Sequence, residues 1–188
     1  MTSTETQSTG PEFTSRKPRM NHVAMSLSPD QLDEEHRKLR ADFLADVFGF
    51  YDLPMLTQDR YRQVFQVHNI EQFVFLIADD PPMSCARLDH FGLSVGAEQE
   101  LDEILARAKA WQARDNRVEI VDRQVEDHGM LAITSIYVRY LLPMMIEIQW
   151  WDFKGGDSGA DRTGGGARSR PEEEGMPRAD QNDEQEAK

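Results

Sequence analysis

The sequence predicts an α+β fold built from two copies of one β-α-β-β-β module. Three observations predict it. The phrase "MNHVAMSL" at 20–27 returns as "LDHFGLSV" at 88–95, each time with a polar residue and a histidine leading into an alternating run. Each phrase is followed by a helical pattern and then by three short strand-like runs. Between the copies lies "DDPPMSCAR", whose prolines break any regular element.

The first module covers 20–79. After its opening strand, Ser28 or Asp30 is the expected helix cap, with Pro29 near the start. Leu32, Leu39, Phe43, Leu44 and Val47 fall on one helical stripe, and Gly49 supplies the stop. Strands are expected near "YDLPML", in "RYRQVFQVH" and in "EQFVFLIA". The second module covers 87–153. Its helix, "AEQELDEILARAKAWQAR", carries Leu101, Ile104, Leu105, Ala108 and Trp111 on one face. Strands follow in "RVEIVDRQV", "LAITSIYVRY" and "MMIEIQWW". Two copies of so long a unit make a paired domain rather than a solenoid.

The flanking segments, 1–19 and 154–188, are polar and rich in Ser, Thr, Gly and Glu, and are expected to be disordered. With 34 acidic against 21 basic residues the chain carries a formal charge of −13, which disfavours a nucleic-acid binder. No apolar run reaches the roughly 20 residues of a membrane span, and the N-terminal stretch lacks the apolar core of a secretory signal. A single cysteine, Cys85, excludes an intrachain disulfide and fits a reducing compartment. The expected location is the cytoplasm.

Strand parity gives the first chemical clue. His22, Ala24 and Ser26 share one face of their strand, and His90, Gly92 and Ser94 share one face of theirs. The bulky apolar residues lie opposite and would pack under the helices. Each histidine is thus followed by small residues that leave room for a cavity. In the last strand Glu147 interrupts an apolar run, and a buried carboxylate is costly unless paired or bound to a metal.

These phrases, with "FLADVFGFYDL" between them, resemble the vicinal oxygen chelate superfamily over about residues 20–152. The superfamily includes glyoxalase I, extradiol ring-cleaving dioxygenases, fosfomycin-modifying enzymes and bleomycin-binding proteins. The resemblance implies that each module curls into half of a cup and that His22, His90 and Glu147 hold a divalent metal. Two histidines and a carboxylate with open positions also form the facial triad of non-haem iron(II) oxygenases. Fe²⁺ is therefore expected, with Mn²⁺, Zn²⁺ or Ni²⁺ as alternatives. A small-molecule substrate and a homodimer are expected with it.

The segment "EDHGMLAITSIYVRYLLPMMIEIQ" resembles the extradiol dioxygenase signature in part. That likeness implies catalytic roles for His128 and Tyr137 on a catechol-like substrate, Tyr137 donating a hydrogen bond to a substrate oxygen. Glu126 before His128, and Tyr140-Leu141 after Tyr137, depart from the signature. The second acid–base histidine of that family has no clean counterpart, His68 being the nearest. A glyoxalase-type isomerase would need a fourth ligand, and counting back from His90 puts Gln72 there, with Glu71 beside it. A fosfomycin-type enzyme would need cations near the metal, for which Arg123 and Arg139 are candidates. A non-catalytic binding protein of the same fold would lack the triad.

Overall fold

The computed structural model describes residues 19–154; the expectations for the two tails fall outside them. The element order is β1 (His22–Leu27), α1 (Glu34–Phe48), β2 (Tyr51–Asp52), β3 (Arg62–Gln66), β4 (Phe73–Ala78), β5 (His90–Val95), α2 (Glu98–Gln112), β6 (Glu119–Asp127), β7 (Leu131–Arg139) and β8 (Met145–Phe153). The expected module is present twice. Each copy forms its own mixed sheet, in the orders β1-β4-β3-β2 and β5-β8-β7-β6. The first strand of each copy runs parallel to the last, and the other pairs are antiparallel.

Local differences from the sequence reading have simple causes. The cap of α1 is Asp33, whose carboxylate accepts the His36 N–H at 2.9 Å, because Pro29–Leu32 first make a 3-10 turn. Gly49 ends α1 at φ 71°, as its freedom in the left-handed region allows. The strand expected near "YDLPML" shrinks to Tyr51–Asp52, since Pro54 diverts the chain into a second 3-10 turn. At the start of α2, Glu100 accepts the N–H groups of Gly96 and Ala97 at 2.8 and 3.2 Å.

Each helix covers one face of its sheet. Met25, Leu27, Phe65, Val74 and Leu76 meet Phe43, Leu44 and Val47; Phe91, Ile136, Ile146 and Ile148 meet Leu101, Leu105 and Ala108. All of these belong to one buried cluster. The helices join the modules: Phe43 packs edge-on to Trp111 at 5.4 Å and tilted on Tyr140 at 4.7 Å. Trp111 Nε1 donates to Asp46 Oδ2 at 2.6 Å. The fully buried Arg40 reaches from α1 to the Leu141 carbonyl of the β7–β8 turn at 3.5 Å. The sheet faces carrying His22 and His90 are consequently turned away from this shared core. β1 and β5 are edge strands of separate sheets.

Candidate metal centre

His90 and Glu147 sit on neighbouring parallel strands. Glu147 is register partner to Gly92, two residues beyond His90 on the same face. The carboxylate can lie there because Gly92 has no side chain; a Cβ on it would stand 3.3 Å from Glu147 Oε2. On the other side, β7 pairs with β8 so that Tyr137 is directly opposite Glu147. Antiparallel pairing about the Leu141–Pro143 turn predicts this pairing if the turn centres on Leu142. Tyr137 meets the His90 ring edge-on at 5.2 Å. Glu147 is only 6 % exposed, although it projects from the sheet face opposite to the one that Ile146 and Ile148 turn to the core.

The hydrogen bonds of the two histidines define how they present themselves. His90 Nδ1 lies 2.8 Å from the Leu88 carbonyl, which only accepts, so Nδ1 carries the proton in the neutral ring. The Nε2 lone pair then faces Glu147 Oε2 at 3.3 Å. A lone pair opposite a buried carboxylate is unfavourable unless a cation, a proton or a metal, lies between them. His22 is arranged alike: its Nδ1 lies 2.8 Å from Asn21 Oδ1, which leaves Nε2 as the free donor atom. An imidazole whose far nitrogen is tied to an oxygen is the usual form of a metal-ligating histidine.

A single chain does not bring all three expected ligands together. His22 lies on the first sheet, stacked flat on Phe73 at 4.9 Å. Among the described residues, no group of three or more His, Cys, Asp and Glu side chains is placed to hold one ion. His90, Glu147 and Tyr137 form one cluster, and His22 stands apart from it.

A half-open cleft of about 480 Å³ lies beside His90, walled by Leu88, Ile120, Val121 and Gln124, with Tyr137 at its base. Burial, together with the facing Glu147 carboxylate, pushes Tyr137 up to about 12. At neutral pH it is therefore a hydrogen-bond donor and not a base. His128 is elsewhere, in the β6–β7 turn, with Nε2 3.6 Å from Glu126 Oε2. That turn lies roughly 20 Å from Tyr137 along β7, at about 3.4 Å per residue. His128 does not line the cleft.

The register also replaces the expected fourth-ligand position. On the His22 face of β4 stand Phe73, opposite His22, and Phe75, opposite Ala24 as Glu147 is opposite Gly92; Gln72 has the other parity. Gln72 is held outside the strand, accepting from Asn69 Nδ2 at 3.0 Å, and Glu71 pairs with Arg19. Arg123 pairs with Glu98 and Asp102, and Arg139 with Glu119, so both expected cations are already neutralised. The sequence reading missed Gln124 and Arg87 in the cleft lining. A β-bulge between Val121 and Gln124 resets the parity of β6, and sequence periodicity does not reveal it.

Among solved structures, lactoylglutathione lyase from Agrobacterium tumefaciens matches with a TM-score of 0.51 at 16 % identity, over 72 % of this chain and 95 % of that one. The chain has the vicinal oxygen chelate fold. Two further matches have lower scores. A fosfomycin resistance protein from Listeria monocytogenes, solved with Mn(II) and a dihydroxypropylphosphonic acid, has a TM-score of 0.49 at 17 % identity, over 71 % and 92 % of the two chains. A possible glyoxalase from Bacillus cereus has 0.46 at 18 % identity, over 70 % and 98 %. No protein-family model matches the sequence. No curated protein matches it either. Among the described residues, no helix is long and apolar enough to cross a membrane.

Proposed function

We propose that the chain is a divalent-metal enzyme acting on a substrate that chelates through two adjacent oxygens, with His22, His90 and Glu147 as ligands. The observation that carries this is the His90 Nε2 lone pair facing the buried Glu147 carboxylate at 3.3 Å, with His22 held in the same tautomer. His22 stands apart from the other two within one chain, so a second copy supplies it and the working unit is a homodimer. The edge strands β1 and β5 are where such copies would meet.

Bound there, the ion would supply Lewis acidity toward the paired oxygens and, as Fe²⁺, the redox chemistry for putting oxygen into a catechol ring. The chain's own residues have separate tasks. The Leu88 carbonyl fixes the His90 ring. Tyr137, protonated at neutral pH, has its hydroxyl hydrogen on the Glu147 carboxylate in the free protein and would turn it to a substrate oxygen once Glu147 holds the ion. Leu88, Ile120 and Val121 give a flat ring an apolar wall.

Extradiol-type cleavage of a catechol is the reaction we assign. Phe75 stands on β4 where Glu147 stands on β8, opposite Ala24 as Glu147 is opposite Gly92, and this counts against a glyoxalase-type isomerase, which needs a carboxylate base there. A second reading is favoured by the separation of His128 from the cleft: a lyase or transferase reaction in which the ion and Tyr137 suffice. Metal analysis of anaerobically purified protein tests the first level, and a catechol panel monitored for yellow ring-cleavage products tests the second. Protein that takes up no divalent metal would end the proposal. Metal uptake without any ring cleavage would leave the second reading.

A further inference from the structure

The charges around the cleft leave one cation without a counter-charge. Arg87 lines the cleft together with His90 and Tyr137, and among the described residues its guanidinium makes no ion pair and no hydrogen bond. This is unusual in a chain with 34 acidic and 21 basic residues. Two acids stand near it in the sequence or in the cleft lining, and each has a hydrogen-bond partner of its own. Asp89, two positions on, accepts the Ala86 N–H at 2.8 Å. Asp122, which also lines the cleft, pairs with Lys109 at 2.6 Å and accepts the Arg123 N–H at 2.8 Å. Arg123 and Arg139, the cations that stand out in the sequence, are both neutralised by acids of their own module.

We infer that Arg87 is a specificity-determining residue that binds a carboxylate on the substrate, so that the ligand is an anionic vicinal diol. The inference rests on the reading of His90 and Glu147 as part of a chelating centre. Charge balance supports it. A divalent ion held by one carboxylate and two neutral imidazoles keeps one net positive charge, which a singly ionised diol cancels. Arg87 then asks for a second negative group. A tight turn closes Ala86 to Asp89, with the Asp89 N–H donating to the Ala86 carbonyl at 2.9 Å, and it holds Arg87 just ahead of β5. Its Cα can stand at most about 10 Å from that of His90, and the guanidinium fork suits a planar carboxylate.

The test compares diols that differ only in this group. Full-length protein loaded with Mn²⁺ is titrated with catechol, 3,4-dihydroxybenzoate and 3,4-dihydroxyphenylacetate, beside Arg87→Gln and Arg87→Lys. At least one of the two carboxylates should bind about tenfold more tightly than catechol to the wild type, as one charged hydrogen-bonded pair implies. Arg87→Gln should remove that preference while metal content and catechol affinity stay the same, and Arg87→Lys should keep part of it. Equal binding of all three ligands by the wild type overturns the inference, and so does a preference that survives Arg87→Gln. If the loaded protein binds none of the diols, the chelate reading fails, and benzoate then decides on Arg87. Benzoate binding that Arg87→Gln abolishes upholds the anion site, and no benzoate binding overturns it.

Discussion

Adding a side chain at Gly92 should make the protein more stable and bind metal less tightly, and this opposition isolates the centre from the fold. Gly92 is exposed in the edge strand β5. Glycine there costs roughly 0.5–1 kcal/mol in a strand that alanine or valine would suit better. Yet its missing Cβ is what lets Glu147 Oε2 lie where it does, since an added methyl would stand only 3.3 Å from that oxygen. Alanine asks the carboxylate to move by a few tenths of an ångström. Valine asks for more, and the carboxylate is hemmed in by the His90 ring at 3.3 Å and by Tyr137 across the ladder. Displacing an oriented ligand typically lowers metal affinity about 10–100-fold. The expected result is a loss near the lower figure for Gly92→Ala and near the upper one for Gly92→Val. The metal-free melting temperature should be unchanged or higher. Competition against a metal-binding dye, beside thermal denaturation in chelator, measures both. Undiminished affinity in Gly92→Val would refute the role assigned to Glu147.

Other outcomes follow from the same geometry. Tyr137→Phe should keep the metal and lower turnover on the best substrate by about 10²-fold, the scale of a lost proton donor; His128→Ala, in its exposed turn, should change turnover less than about twofold, as steady-state kinetics would show. In an alkaline titration followed by ultraviolet difference spectra, Tyr137 and Tyr140 should ionise near 12, pushed up by burial and by the Glu147 and Asp115 carboxylates. Both are acids with folded-state values raised above the ordinary value of about 10. Their contribution to stability is complete below pH 10 and is lost as the pH rises from 10 to 12, so Tyr137→Phe should flatten part of that decline.

Much of the fold is legible in the sequence because the duplicated pattern repeats both strand parity and helix stripe. Tyr137 falls opposite Glu147 because a hairpin closed through Leu141–Pro143 allows few registers, and the side-chain period of two fixes the face. Other features depend on contacts that no local pattern carries. Phe73 takes the place beside His22 through the parallel pairing of β1 with β4, and Gln72, one residue away, has the opposite parity. The bulge in β6 brings Gln124 into line with Ser135. Arg87 stands in a linker whose sequence shows only that it is irregular, and its lack of a partner is visible only when the acids around it have been placed. The triad itself was suggested by two matching phrases and a misplaced glutamate. What those letters do not say is that the shared helical core turns the two histidine faces apart, so that one chain gathers only His90 and Glu147.

Subunit complementation shows whether His22 reaches the site from a second copy of the chain. His22→Ala and Glu147→Ala chains carrying different tags are co-expressed, and the mixed dimer is isolated through both tags. Neither variant alone should hold metal tightly. In the mixed dimer, His22 of the Glu147→Ala chain should meet His90 and Glu147 of the His22→Ala chain. That restores one of the two sites, and in an unfractionated random mixture about one quarter of all sites. One tightly bound ion per mixed dimer is expected, against two in the wild type. A mixed dimer that binds none would contradict it, as would a His22→Ala protein that keeps its full metal content.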